Sequence, residues 1–250
     1  MALPKTRLFF GQCSLQVPFE VTMQKVVLCC CCVLLAAPCS ADVSSTVVLT
    51  SNYLFNGITL TNHDPALQPS LDWSSGDGWY AGLWASNVKF SPGTELEFDA
   101  TIGYWTELSP DWVLDLGVAQ YTYHGSESAN SEAFNFPEAY LKLSYKTTKL
   151  GYWYASDYFG AGGGHYIVAL FHTIPLHENG SLLLTADRST STQTDKFMRD
   201  TDGTYHHWRI AYLASWQGLN WTLAFDDTDY SLPFYGDAKV SLAVAKTFSW

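Results

Sequence analysis

From Thr94 to Trp105 polar and apolar residues alternate with a period of two. Glu95, Glu97, Asp99 and Thr101 fall on one side, and Leu96, Phe98, Ala100 and Ile102 on the other. Successive side chains of an extended strand point to opposite faces, so this segment predicts a strand with one polar and one apolar face. Similar alternation begins near Val43, Ala66, Trp79, Trp112, Glu138, Leu150, His165, Ser181, Tyr205, Leu219 and Ala238, which makes twelve candidate strands. A weak strand is easily miscounted in such a pattern, and ten or fourteen strands are compatible with it.

The connections between these segments alternate in length. Short ones run over residues 74–78, 109–111, 146–149, 175–180 and 215–218, each rich in turn-forming residues, and longer ones over 56–65, 88–94, 124–137, 157–164, 188–204 and 226–237;. A soluble sheet has no reason to sort its turns this way, whereas a membrane barrel places short turns on the periplasmic rim and long loops outside. Closure also removes the two unpaired edges that lipid would leave without hydrogen-bond partners. The chain is therefore expected to be all-β, an antiparallel up-and-down transmembrane barrel of about twelve strands;.

In that barrel the outward set includes Leu67, Leu71, Trp73, Leu96, Phe98, Ile102, Leu114, Leu116, Val118, Leu141, Leu143 and Tyr145. The inward, lumen-lining set comprises Gln68, Ser70, Asp72, Glu95, Glu97, Asp99, Asp115, Glu138, Tyr140, Lys142 and Arg209. Trp73, Trp79, Trp105, Trp112, Tyr145, Trp216, Trp221 and Trp250 lie near strand ends, where amphipathic rings suit the headgroup level;. The bland alternative makes them core aromatics of a soluble β-fold, and it leaves the alternation of turn lengths accidental. At the C-terminus Val240, Leu242, Val244, Phe248 and Trp250 share one face. This pattern resembles the signal read by the outer-membrane barrel-assembly machinery, and lipid and that machinery are the expected partners. Lys246 interrupts the apolar series, with a stem long enough to snorkel to water;.

Composition changes the picture at the N-terminus. All six cysteines (Cys13, Cys29, Cys30, Cys31, Cys32 and Cys39) precede residue 42, so they build no disulfide framework in the remainder;. An apolar run of 12 residues, Val26 to Ala37, follows Lys25 and precedes Pro38-Cys39-Ser40-Ala41, whose small residues suit cleavage after Ala41;. Residues 1–41 are thus expected to be a secretory signal, with either an extended n-region or a true start at Met23. Neither Leu28 nor Pro38 is the small residue that lipid attachment to the following cysteine needs, and adjacent cysteines on this segment cannot converge on a metal;. The 209 residues that remain carry 10 basic and 23 acidic side chains, a net charge near −13. That balance argues against a nucleic-acid partner, whose phosphates need a positive surface. No later segment approaches the run of about 18 apolar residues that a spanning helix requires.

Several strings resemble the TorF family of outer-membrane porins. They are Ser51-Asn52-Tyr53-Leu54-Phe55-Asn56-Gly57-Ile58, Asp64-Pro65-Ala66-Leu67-Gln68, Tyr80-Ala81-Gly82-Leu83-Trp84-Ala85-Ser86-Asn87-Val88 and Tyr121-Thr122-Tyr123-His124-Gly125. Glu138 to Tyr140 and Asp157-Tyr158-Phe159-Gly160 continue the likeness in order, over essentially all of residues 42–250. The chain departs from it at Asn56, where the family usually has a basic residue, at Leu60, where it has a polar one, and at His124, where it has proline. The resemblance implies a porin-like barrel and no defined solute. If the family's usual basic residue helps to set pore charge, its loss at Asn56 is expected to leave the lumen more acidic.

Among candidate chemistries, Glu95, Glu97 and Asp99 set three carboxylates on one face, about 7 Å apart, which would attract cations. The alternative is a solvated face without a role. Lys142 and Arg209 are placed to pair with Glu138, Asp115 or Asp226, and such pairs would plug a narrow lumen. His206 and His207 point to opposite faces and cannot chelate one ion from that strand alone;. Asp226-Asp227-Thr228-Asp229 lacks the glycine and distal glutamate of a compact calcium loop;. The sequence contains neither a Gly-x-Ser-x-Gly elbow nor a His-Glu-x-x-His helix;. The glycine-rich run Gly160–Gly164 has no lysine of a phosphate loop;. No enzyme activity, cofactor or metal is expected. The reading is an outer-membrane channel, narrow and cation-preferring, with a non-conducting loop-binding barrel as the alternative. The width follows from strand number, since ~8 strands are filled by side chains and ~16–18 leave an open channel.

Overall fold

The computed structural model of the chain describes residues 41–126 and 130–250. The expected signal region lies outside the described residues apart from Ala41, and the first strand begins directly after it at Asp42. The strands are β1 (Asp42–Thr50), β2 (Leu54–Phe55), β3 (Ile58–Thr59), β4 (Ala66–Ser74), β5 (Trp79–Asn87), β6 (Thr94–Ser109) and β7 (Trp112–Gly125). They continue with β8 (Phe136–Tyr145), β9 (Thr148–Ala155), β10 (His165–His177), β11 (Gly180–Ser191), β12 (Thr204–Trp216), β13 (Leu219–Thr228) and β14 (Lys239–Ser249). Twelve of them close into one antiparallel barrel in which each strand pairs with its chain neighbours and β1 joins β4 on one side and β14 on the other. β2 and β3 form a separate small hairpin within the first connection.

Connection lengths sort the two ends of the barrel. At one rim the turns are residues 75–78, 110–111, 146–147, 178–179 and 217–218, and both chain ends of the barrel lie there. Gln217 and Gly218 both take positive φ (53° and 71°), as a two-residue type I′ hairpin turn demands;. At the other rim the connections are 51–65, 88–93, 126–135, 156–164, 192–203 and 229–238.

The alternation turns the barrel inside out relative to a soluble protein. Leu67, Leu71, Leu96, Ile102, Leu116, Val118, Leu141, Ile210, Leu223 and Leu242 are exposed on the outer face, while Gln68, Glu97, Asp99, Asp115, Glu138, Lys142 and Asp226 are buried inside. Apolar residues outside and polar residues inside is the arrangement that surrounding lipid selects. Trp73, Trp79, Trp112, Tyr145, Trp216 and Trp250 ring the short-turn rim, and Phe98, Tyr152, Tyr154, Trp208 and Phe225 form a second outward belt toward the long-loop rim. Trp105 differs from the expected girdle position, because it falls on the inner parity of β6 and packs against the interior cluster. On β14, Val240, Leu242 and Phe248 are exposed outward and Val244 is half-buried, and Trp250, directly after the strand, is exposed as well. The Lys246 ammonium donates to the Gly218 carbonyl (2.9 Å) at the short-turn rim.

One inward assignment needs correction. β6 carries a bulge at its start, with Thr94 opposite Gly125 and Leu96 opposite His124, so Glu95 has no residue facing it. The extra residue shifts the side-chain alternation by one place. Thr94 therefore points in, Glu95 is exposed, and only Glu97 and Asp99 continue inward.

Candidate functional site: the barrel interior

Cross-strand register stacks the interior into layers. Nearest the long-loop rim, Glu97 on β6 stands between Ser86 on β5 and Tyr123 on β7. The next layer runs Ser70, Trp84, Asp99, Tyr121, Phe136. One layer further, Thr101, Ala119 and Glu138 lie side by side. Three carboxylates thus descend one wall in successive layers of about 7 Å. Two of them are held by phenols: the Tyr123 hydroxyl donates to Glu97 Oε1 (2.8 Å) and the Tyr121 hydroxyl to Glu138 Oε1 (3.0 Å). Tyr53, in the first connection, reaches Glu97 from above, and burial together with the Glu97 and Asp99 charges raises its phenol well above the usual value, keeping it a donor. Glu97 Oε2 and Asp99 Oδ1 are buried without a hydrogen bond, and neither residue forms an ion pair among the described residues.

The following layer is a constriction built on glycine. Tyr80, Gly103, Gly117 and Tyr140 lie in register across β5 to β8. The two rings lean over the two glycines until their hydroxyls meet at 2.5 Å, and the Tyr80 hydroxyl also approaches Asp115 Oδ1 at 2.5 Å. A Cβ at Gly103 would fall 2.3 Å from the Tyr80 hydroxyl, and one at Gly117 2.3 Å from the Tyr140 hydroxyl. Only glycine leaves room for this arch. Beneath it Lys142 pairs with Asp115 (3.6 Å) and lies 4.0 Å from the centre of the Tyr140 ring, in cation–π contact;.

The opposite wall is charge-compensated. The His207 ring on β12 sits between Asp187 of β11 (Nδ1 to Oδ2, 2.5 Å) and Asp226 of β13 (Nε2 to Oδ1, 3.0 Å). Arg209 donates to the same Asp226 oxygen at 3.1 Å. Two ring nitrogens facing carboxylates are both satisfied only when both donate, in the imidazolium form. Of the pairings open to Lys142 and Arg209, the barrel therefore realises Asp115 and Asp226.

The outer mouth is occupied by folded-in chain. Residues 52–61 are buried throughout, apart from half-buried Leu54. Asn52 Oδ1 accepts from Thr59 (2.7 Å) and Thr61 (3.2 Å), closing the segment on itself. Gly57, at φ +77°, lies so close to His207 that a Cβ would be 2.6 Å from the ring. Phe90, Phe134 and Phe159 pack around Tyr123, with centroids 5.2–6.4 Å away. Sequence reasoning treated the first connection as an outside loop and saw neither this insertion nor the tyrosine arch. The paired glycines of β6 and β7 were the available signal for the arch.

Gln68 donates to Ser86 (3.3 Å), and Asp72 accepts from Ser70 (2.9 Å), both on the inner face of β4. No trio of His, Cys, Asp or Glu stands in a metal-binding arrangement among the described residues.

A closed antiparallel barrel with an apolar outer belt, aromatic girdles and a charged interior is an outer-membrane β-barrel, the barrel class of the bacterial outer membrane. Within that class the chain belongs to the Gcw_chp family, bacterial proteins of unknown function, which matches residues 36–249. No curated protein sequence matches it. Among solved structures the barrel is similar to the KdgM porin, alone and in complex with disordered oligogalacturonate. In each case the TM-score is 0.53 at 7% identity, over 84% of this chain and 99% of KdgM. The toluene transporter TodX of P. putida aligns with a TM-score of 0.48 at 11% identity, over 85% of this chain and 90% of TodX. These likenesses concern the fold.

Proposed function

We propose that this barrel is a narrow channel of porin type that passes small ions or solutes and prefers cations. The observation that carries the reading is the acidic wall of Glu97, Asp99 and Glu138, of which Glu97 and Asp99 form no ion pair among the described residues, facing a wall where Asp187 and Asp226 are already neutralised by His207 and Arg209. Carboxylates in a low-dielectric interior hold a negative potential that favours cations and rejects anions. The oligogalacturonate in the KdgM complex is a polyanion, and a solute of that charge is disfavoured here. The TorF likeness fits the same reading, as does the terminal strand face for barrel assembly.

The test is single-channel recording of residues 42–250, refolded and placed in a planar bilayer under a KCl gradient. Discrete steps with a cation-selective reversal potential are expected, and their selectivity falls when E97Q, D99N and E138Q are combined. Anion selectivity would refute the cation preference. The folded-in segment 52–61 favours a second reading, a barrel that does not conduct and presents its loops to an outside partner. Correctly folded, inserted barrels that stay silent would establish that reading and overturn the channel.

A further inference from the structure

We infer that the upper acidic wall is a binding site for a primary alkylammonium group. The inference rests on the cation-preferring reading above and names the kind of cation the site holds. Its first support is Glu97 Oε2 and Asp99 Oδ1, buried carboxylate oxygens without a hydrogen bond among the described residues; Asp187 Oδ1 and Asp226 Oδ2 share that state, but their carboxylates are ion-paired through the other oxygen, and those of Glu97 and Asp99 are not. A buried carboxylate is unfavourable unless a charge or donor meets it; Tyr53 reaches Glu97 from the mouth segment, and Asp99 Oδ1 is left without a donor among the described residues. Tyr123 is committed to Glu97 Oε1, and Tyr121 to Glu138.

The surroundings select the cation. A metal ion needs several oxygens converging within about 2.0–2.6 Å, and here the acids come from separate layers about 7 Å apart. The described residues contain no metal-binding trio. The positions between the acids belong to aromatic side chains: Trp84 and Tyr121 flank Asp99 in the register, Tyr123 neighbours Glu97, and Tyr53 meets Trp84 edge-on at 5.4 Å. An R–NH3+ group matches both features. Its three N–H bonds reach two carboxylates directionally, as charge-assisted hydrogen bonds, and its alkyl chain and charge lie against ring faces. A quaternary ammonium offers the same charge without the donors. Potassium offers it without the alkyl surface.

The experiment uses the whole barrel, residues 42–250, with n-butylammonium and tetramethylammonium as probes. Binding is measured by calorimetry in detergent, and block of the KCl current is measured in bilayers. Folding of each variant is verified by the gel-mobility shift between folded and heated barrel. Expected are saturable n-butylammonium binding at least tenfold tighter than that of tetramethylammonium, and a tenfold or greater loss of affinity in D99N and in E97Q. Block of the potassium current would follow the same order. If potassium conducts but n-butylammonium binds no better than tetramethylammonium, or folded D99N binds it unchanged, the site is refuted while the channel stands. If no current flows but selective, Asp99-dependent binding is found, the site stands and the channel reading falls. Absence of both current and binding overturns both.

Discussion

Replacing Gly117 by alanine tests whether the tyrosine arch shapes the barrel interior. The new Cβ would lie 2.3 Å from the Tyr140 hydroxyl, 2.4 Å from its Cζ and 2.8 Å from the Ile102 carbonyl oxygen. The ring must swing away and lose its 2.5 Å contact with Tyr80. Forcing a methyl into a filled site costs about 1–3 kcal/mol, and one lost buried hydrogen bond about 0.5–1.5 kcal/mol. The alanine recovers about 0.5–1 kcal/mol of backbone entropy, which leaves a net loss of about 2 kcal/mol, within a range of about 0.5–4 kcal/mol. In a Tyr140→Ala background the ring is gone and the 2.8 Å approach to the Ile102 backbone carbonyl still opposes the methyl, so the same substitution remains destabilising but by less;. The difference is the coupling of Gly117 to the Tyr140 ring. It is read from urea titrations of reversible folding into detergent or lipid, for wild type, both single variants and the double variant. Equal effects of Gly117→Ala in the two backgrounds would refute the arch as the reason for glycine at this position.

Three further outcomes follow from the same geometry. Ile210→Arg, on the outer face midway along β12, is expected to destabilise the lipid-inserted barrel by about 2–4 kcal/mol, and Trp216→Arg at the short-turn rim by about 0–1 kcal/mol; equal costs would place the lipid belt elsewhere. Lys142→Met leaves Asp115 buried without its cation and is expected to cost about 3–5 kcal/mol, most of it restored by adding Asp115→Asn; a double variant as unstable as the single would show that the pair is not what holds Asp115. Gly57→Val, whose side chain collides with His207 and Thr228, is expected to displace residues 52–61 from the mouth and raise unit conductance. An intact barrel with unchanged conductance and unchanged protease resistance would show that this segment does not limit flow.

The barrel was readable in the sequence because lipid and a polar interior impose opposite demands on alternate residues, and a period of two survives in almost every strand. The pattern failed where the backbone broke the period. Glu95 reads as inward in the string Thr94-Glu95-Leu96-Glu97, and no composition cue marks the bulge that turns it out. The acids Glu97, Asp99, Asp115 and Glu138 came from strand parity alone, but parity says nothing about which acid finds a cation. That depends on register between strands, which set Lys142 beside Asp115 and Arg209 beside Asp226. The sequence reading of His207 went no further than its neighbour His206, because its partners, Asp187 and Asp226, are about twenty residues away on either side.

The asymmetry of the interior is where register and chemistry meet. On β11 to β13 each carboxylate that points inward meets a cationic side chain on an adjacent strand, so the wall is close to neutral and serves packing, with Gly57 seated against His207. On β5 to β8 the positions beside Glu97 and Asp99 are given to Ser86, Trp84, Tyr121 and Tyr123, which supply donors and ring faces but no charge. A wall serving stability alone gains nothing from leaving the Asp99 carboxylate without a cation, since an unpaired buried charge carries an effective desolvation penalty of roughly several kcal/mol. D99N is therefore expected to raise folding stability while it lowers cation preference. That opposition marks a residue kept for function, and a D99N barrel that is both less stable and unaltered in selectivity would place Asp99 among the structural residues instead.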